Sequence, residues 1–242
     1  MTVSNRVTCE PHERIIVALD DMTEEEARKW IMLLFPFVGG FKAGSELAAL
    51  MGDREVIAVI NETGKRCMLD RKLSDVPRTM ARTTGVWAKY APWLFTVHAS
   101  AGPNGLAATA AVDRSGMLMA GVTVLTSMDE KECRHVFNET PSPKVHEFAL
   151  DLVKAGADAI VCSPNELVML GEDDRLDTLI RVIPGIRPTG KDMEDQKRVA
   201  TPEVAIENGA DFLVIGSAIT KDRDPEDMTK LVAEEIGRAL DA

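Results

Sequence analysis

The strongest constraint on what this chain can fold into is an alternation. Short, mostly aliphatic runs at 15–20, 39–43, 66–72, 94–100, 118–125, 159–163, 182–186 and 212–216 are separated by longer amphipathic stretches such as 23–34, 76–89, 144–155, 201–208 and 225–240. Apolar runs this short read as strands buried on both faces, and the stretches between them carry helical periodicity. Eight β–α repeats with no break in composition predict a single (β/α)8 TIM barrel. A doubly wound open sheet is the other architecture such a pattern allows. It is weakened because no G-x-G-x-x-G or Walker A loop follows a strand. A length of 242 residues suits one such barrel, and a hydrophobic content of 45% with only 5% aromatics predicts a mainly aliphatic core.

Local signals agree with the alternation. Thr23-Glu24-Glu25-Glu26 reads as a capping box with acidic residues in the first helical turn. Thr201-Pro202-Glu203 reads as an N-cap followed by proline at the first helical position. Gly156-Ala157-Asp158 and Gly209-Ala210-Asp211 fit turns from helix to strand. Residues 1–13 are polar and read as a flexible arm, leaving 14–242 for the barrel.

Composition narrows the partners. The formal net charge of -11 argues against nucleic acid, although a local group of lysines can still bind an anionic small molecule. No apolar run is long enough to span a bilayer, so no membrane partner is expected. Cys9, Cys67, Cys133 and Cys162 are scattered, without metal-ligand spacing, and Cys67 and Cys162 sit in strand-like runs as buried thiols. A reducing cytoplasmic setting follows from that cysteine usage.

The chemistry concentrates at strand ends, where a barrel places its active site. Asp20, Lys42, Asp70, Lys72, His98, Thr126, Ser127, Ser163, Arg187 and Ser217 all fall at the ends of the apolar runs. In Asp70-Arg71-Lys72-Leu73-Ser74-Asp75-Val76-Pro77, period-two alternation puts Asp70 and Lys72 on one face, with Asp75 beyond the strand. Alone, that pattern reads as an ion pair plus a helix cap at Asp75. With Lys42 on the neighbouring strand it reads as a Lys–Asp–Lys array, which is either a satisfied buried salt-bridge network or a preorganised site holding a lysine as proton donor.

At these motifs the chain resembles the orotidine 5′-monophosphate decarboxylase family. The matching segments are Val17-Ala18-Leu19-Asp20, Phe41-Lys42-Ala43-Gly44, Leu69-Asp70-Arg71-Lys72, Asp75-Val76-Pro77-Arg78-Thr79, Val97-His98-Ala99-Ser100 and Val122-Thr123-Val124-Leu125-Thr126-Ser127. They continue through Val161-Cys162-Ser163-Pro164, Pro184-Gly185-Ile186-Arg187-Pro188, Asp195-Gln196-Lys197-Arg198 and Ala200-Thr201-Pro202. The resemblance implies decarboxylation of orotidine 5′-monophosphate to uridine 5′-monophosphate, the last step of de novo pyrimidine biosynthesis, with no cofactor and no metal. It implies that Lys72 protonates a carbanion-like C6, that Asp70 lies near the departing carboxylate, and that Lys42 and Asp75 complete the charge network. By the same resemblance Asp75 and Thr79 enter from the neighbouring subunit of a homodimer. Asp20 would bind the ribose, Thr126 and Ser127 would read the pyrimidine, and Arg187, Gln196, Gly216 and Ser217 would surround the phosphate.

One departure bears on function. The family carries Gly-Arg after the last strand, where this chain has Gly216-Ser217. A serine hydroxyl offers neither charge nor a bidentate fork. Three accounts stand open at this stage: another cation compensates, Arg187 first and Arg198 or Lys197 next; the chain is an altered variant; or it has drifted to another ligand. Ser74 and Ala101 also depart from many relatives, away from the charge array. The alternative functions are a non-catalytic nucleotide-binding homologue and a sugar-phosphate lyase of the same superfamily. The latter needs an extra carboxylate at the second strand end, where Glu46 is the only nearby acid.

Overall fold

A computed structural model describes residues 6–189 and 200–241. Their strands are β1 (Ile15–Ala18), β2 (Gly40–Ala43), β3 (Arg66–Leu73), β4 (Leu94–His98), β5 (Leu118–Val122), β6 (Ala159–Val161), β7 (Ile180–Ile183) and β8 (Phe212–Ile215). Each pairs in parallel with the next, and β8 returns to β1, so the sheet is the expected closed barrel. Around it lie α1 (Glu24–Leu34), α2 (Ser45–Met51), α3 (Asp53–Glu62), α4 (Pro77–Trp87), α5 (Pro103–Ala110) and α6 (Glu130–Phe137). They are followed by α7 (Pro141–Ala155), α8 (Leu167–Gly171), α9 (Pro202–Glu207), α10 (Ser217–Thr220) and α11 (Pro225–Asp241).

The strands are apolar on both faces because each face meets a different core. In β1, Ile15 and Val17 pack outward among helix residues such as Ile31, Ile57 and Ile236. Ile16 and Ala18 belong instead to a second cluster with Met68, Leu94, Val182, Phe212 and Val214, which fills the barrel interior. The caps read from the sequence are present. Thr23 Oγ1 accepts from the Glu26 N–H while Glu26 Oε2 accepts from the Thr23 N–H at 2.8 Å, and Thr201 Oγ1 accepts from the Val204 N–H. Gly156 ends α7 at φ 82 and Gly209 follows α9 at φ 95, left-handed positions that favour glycine.

The seventh strand lies two to three residues before its expected place at 182–186. Buried Arg181 interrupts the apolar pattern of β7, donating to the Leu170 carbonyl at 2.9 Å. Pro184, which has no N–H to give a ladder, ends the strand.

The N-terminal mouth of the barrel is filled. The Arg66 guanidinium lies 5.6 Å from the Trp93 ring centroid and 5.4 Å from that of Phe212, and donates to the Glu13 carbonyl at 3.0 Å. Arg6 donates to Asp211 Oδ2 at 2.8 Å and to the Gly209 carbonyl at 2.7 Å, while Arg14 donates to the carbonyls of Asp211 and Val7. The opposite, C-terminal mouth is left open for ligand.

Candidate active site

A cavity of about 330 Å³ opens at the C-terminal ends of the strands. Asp20, Lys42, Asp70 and Lys72 line one side, and Thr126, Arg187, Gly216 and Ser217 line another. Apolar side chains from the barrel interior, among them Met68, Val122 and Val214, form its floor.

The charged residues form a chain of contacts. Lys42, at the register position of β2 opposite Met68 of β3, places its Nζ 2.8 Å from Asp20 Oδ1 and 3.4 Å from Asp70 Oδ2. Lys72 Nζ donates to that same Asp70 Oδ2 at 2.8 Å. The Asp70 side chain is only 8% exposed, so this carboxylate is held dry between two ammonium groups. Burial pushes its carboxyl upward, yet the charges of Lys42 and Lys72 and the hydrogen bonds from Lys72 and Thr96 outweigh burial, and its pKa lies below the ordinary value. His98, at the end of β4, is pushed down by burial and by the charge of Lys72.

The two residues meet for a reason other than strand alternation. Leu69 pairs with Phe95 and Leu73 with Val97, so four steps along β3 match two along β4. This bulge contains Lys72, whose φ of 46 is left-handed and costs roughly 1–3 kcal/mol for a residue with a Cβ. The Lys72 N–H donates to Thr96 Oγ1 at 2.7 Å, and Thr96 Oγ1 donates to Asp70 Oδ1 at 2.9 Å. Thr96 was not marked by the sequence. A threonine inside an apolar strand reads as a β-branched filler, and the bulge that gives its hydroxyl two partners leaves no local signature.

Gly44 gives the site room. A Cβ there would lie 2.4 Å from Asp20 Oδ1 and 3.4 Å from Lys42 Nζ. At the far side, Arg187 Nη2 donates to Ser217 Oγ at 3.5 Å, where Ser217 opens the short α10. Lys221 and Asp21 pair across the rim at 3.7 Å.

Other expected site residues lie apart from the cavity. Asp75 and Thr79 are exposed at the start of α4, next to Val76, which is 62% exposed. Asp75 does not cap that helix. Its Oδ1 accepts from the adjacent Val76 N–H at 2.6 Å, and Val76 itself holds the N-cap position. Ser127 is exposed and does not line the cavity beside Thr126. Gln196, with Lys197 and Arg198, lies outside the described residues. Among the described residues no group of acidic, histidine and cysteine side chains could hold a metal ion, and no helix is long and apolar enough to cross a membrane.

A closed (β/α)8 barrel with a buried, interleaved lysine–aspartate array at its C-terminal mouth is the architecture of a barrel enzyme. Residues 13–232 match the orotidine 5'-phosphate decarboxylase / HUMPS family, and the chain belongs to it. It is 40% identical over 224 residues to the orotidine 5'-phosphate decarboxylase of Thermobifida fusca (strain YX), covering 92% of this chain and 95% of that one. It is 35% identical over 232 residues to the enzyme of that name from Actinobacillus pleuropneumoniae serotype 5b (strain L20), covering 92% and 98%. The crystal structure of orotidine 5'-phosphate decarboxylase from Lactobacillus acidophilus superposes with a TM-score of 0.79 at 29% identity, covering 92% of this chain and 98% of that one.

Proposed function

We infer that this chain decarboxylates orotidine 5′-phosphate to uridine 5′-phosphate in pyrimidine biosynthesis. The observation that carries the reading is the buried Asp70 carboxylate held between the ammonium groups of Lys42 and Lys72. In this reading the bond from pyrimidine C6 to its carboxylate breaks, carbon dioxide leaves, and the electron pair stays on C6. Lys72 stabilises that developing charge and delivers the proton that quenches it. Asp70 fixes the ammonium beneath the base and sits beside the substrate carboxylate, so that departure of the carboxylate relieves repulsion between like charges. Lys42 holds Asp70 from the other side and orients Asp20 toward the ribose hydroxyls.

Magnitudes require more than one group. A unit charge about 4 Å from another is worth roughly 4 kcal/mol at an effective dielectric of about 20. Enzymes lower barriers by about 8–23 kcal/mol. Contacts remote from C6 therefore contribute by fixing the nucleotide over the array. Thr126 would read the pyrimidine from the cavity wall, with Ser127 beside it at the loop surface, while Gly216, Ser217 and Arg187 would hold the phosphate together with Gln196. Arg187, close to the Ser217 hydroxyl, supplies the positive charge that the serine lacks, which favours a compensated phosphate site over a change of ligand.

A homodimer belongs to the same proposal. Asp75 and Thr79 are exposed with Val76 at one end of α4, as residues do that complete a neighbour's site. Pyrimidine synthesis would place the enzyme in the cytoplasm. The direct test is the ultraviolet absorbance of orotidine 5′-phosphate incubated with purified protein. Absorbance falls at a rate proportional to enzyme if the reading is right. Saturable nucleotide binding without turnover would identify a non-catalytic homologue instead.

A further inference from the structure

The Thr96 hydroxyl is a neutral group that touches both halves of the Asp70–Lys72 pair. Thr96 is 0% exposed and sits in the regular β4–β5 ladder opposite Ala120, so its backbone is fixed by the sheet. Its Oγ1 receives the Lys72 N–H at 2.7 Å and gives its own proton to Asp70 Oδ1 at 2.9 Å. At the bulge, the N–H that a regular strand would pair with a β4 carbonyl ends on this hydroxyl. The other Asp70 oxygen is left to the two ammonium groups, Lys72 at 2.8 Å and Lys42 at 3.4 Å.

We propose that Thr96 is a positioning residue for the decarboxylation: its hydroxyl fixes the rotation of the Asp70 carboxylate and the left-handed backbone of Lys72 together. The inference rests on the functional reading above and extends it to a residue on the neighbouring strand that does not line the cavity. Without the hydroxyl, Asp70 rotates about its side-chain torsion and Lys72 loses the anchor of its strained backbone. The ammonium is then misplaced relative to C6 while the contacts to ribose and phosphate remain. The defect therefore falls on turnover rather than on binding.

Two substitutions separate the hydroxyl from the volume. Thr96→Val keeps the shape and removes the donor and acceptor, whereas Thr96→Ser keeps the hydroxyl and removes a methyl group. Thr96→Val is expected to lower kcat by about ten- to a hundredfold, the worth of a hydrogen bond to a charged group, with KM within about threefold of the unaltered protein. Thr96→Ser is expected to stay within about threefold in both constants. If the valine variant does not fold, Thr96→Ala, which inserts nothing beside Asp70, carries the same comparison. An independent reading comes from the carboxyl carbon of Asp70 followed by NMR through an acid titration. Its midpoint moves upward in the valine or alanine variant and stays in place in the serine variant. Unchanged kcat and midpoint on removing the hydroxyl, or an equal loss in Thr96→Ser, would overturn the proposal. Failure of the unaltered protein to turn over orotidine 5′-phosphate would instead overturn the functional reading, and the titration would still decide whether Thr96 controls Asp70.

Discussion

Arg187 Nη2 reaches Ser217 Oγ at 3.5 Å across the turn where the last strand opens into α10. Two elements distant in sequence thus put a guanidinium beside the Ser217 hydroxyl. Arg187→Gln removes that charge and is expected to raise KM for orotidine 5′-phosphate by about ten- to over a hundredfold, with a smaller change in kcat. Ser217→Arg is expected to lower KM with a smaller change in turnover. Steady-state kinetics on both variants checks the pair, and an unchanged KM in Arg187→Gln would remove the guanidinium from the phosphate site.

Lys72→Ala leaves Asp70 with Lys42 as its remaining ammonium partner and takes away the proton donor. We expect kcat to fall by about 10²–10⁴-fold, the usual worth of a positioned acid. Binding of uridine 5′-phosphate should change far less, because Asp20, Arg187 and Ser217 are untouched. Equilibrium titration with the product beside the rate measurement distinguishes lost chemistry from a lost fold.

Gly44→Ala tests the crowding at the second strand end. The backbone there, at φ -73 and ψ 175, suits alanine, so the fold should hold. The added Cβ would sit 2.4 Å from Asp20 Oδ1 and must push that carboxylate off Lys42. The expected result is an unchanged melting temperature with KM raised by about tenfold, the loss of one charge-assisted contact to ribose.

Acid should weaken the fold through two groups near the site. His98, held below its ordinary value by burial and Lys72, binds its proton more readily in the unfolded chain. Its contribution is therefore complete above about pH 6.5 and is lost as pH falls toward its lower folded value. Asp70, whose folded pKa is also depressed, contributes stability above its unfolded value of 3.8 and loses it as pH falls through the folded value. Melting temperatures of the unaltered protein should decline from pH 7 to 5, and His98→Gln should flatten that slope.

A shared site can be tested by mixing. Lys72→Ala and Asp75→Asn should each be inactive alone. Hybrid dimers would place intact Lys72 and the partner's intact Asp75 in one of two sites, so a statistical mixture recovers about a quarter of native activity. No recovery after verified subunit exchange would place Asp75 outside the neighbour's site.

How much of this was legible in the residues varies with the physics involved. Aliphatic runs such as Ile15-Ile16-Val17-Ala18 announce buried strands because both faces are covered, and Thr23 with Glu26 announces a helix start because the cap is local. Strand seven starts before its apolar run because Arg181 is buried through partners on other elements, the Leu170 carbonyl and the Asp211 carboxylate, which composition does not reveal. The pairing of Asp70 with Lys72 was expected, but for a different reason. Period-two alternation fails across a bulge, and a lysine at φ 46 restores the meeting. Thr96 was invisible for the same cause, since its two partners exist only once β3 departs from regular pairing.

The packed N-terminal end carries a last consequence. Trp93 and Phe212 meet edge to face at 4.9 Å with Arg66 over both rings, and Leu94 and Met68 belong to the same interior cluster, so among the described residues this end of the barrel is packed with side chains. In the proposed reaction, carbon dioxide formed over that floor is expected to leave by the same C-terminal mouth that admits the nucleotide.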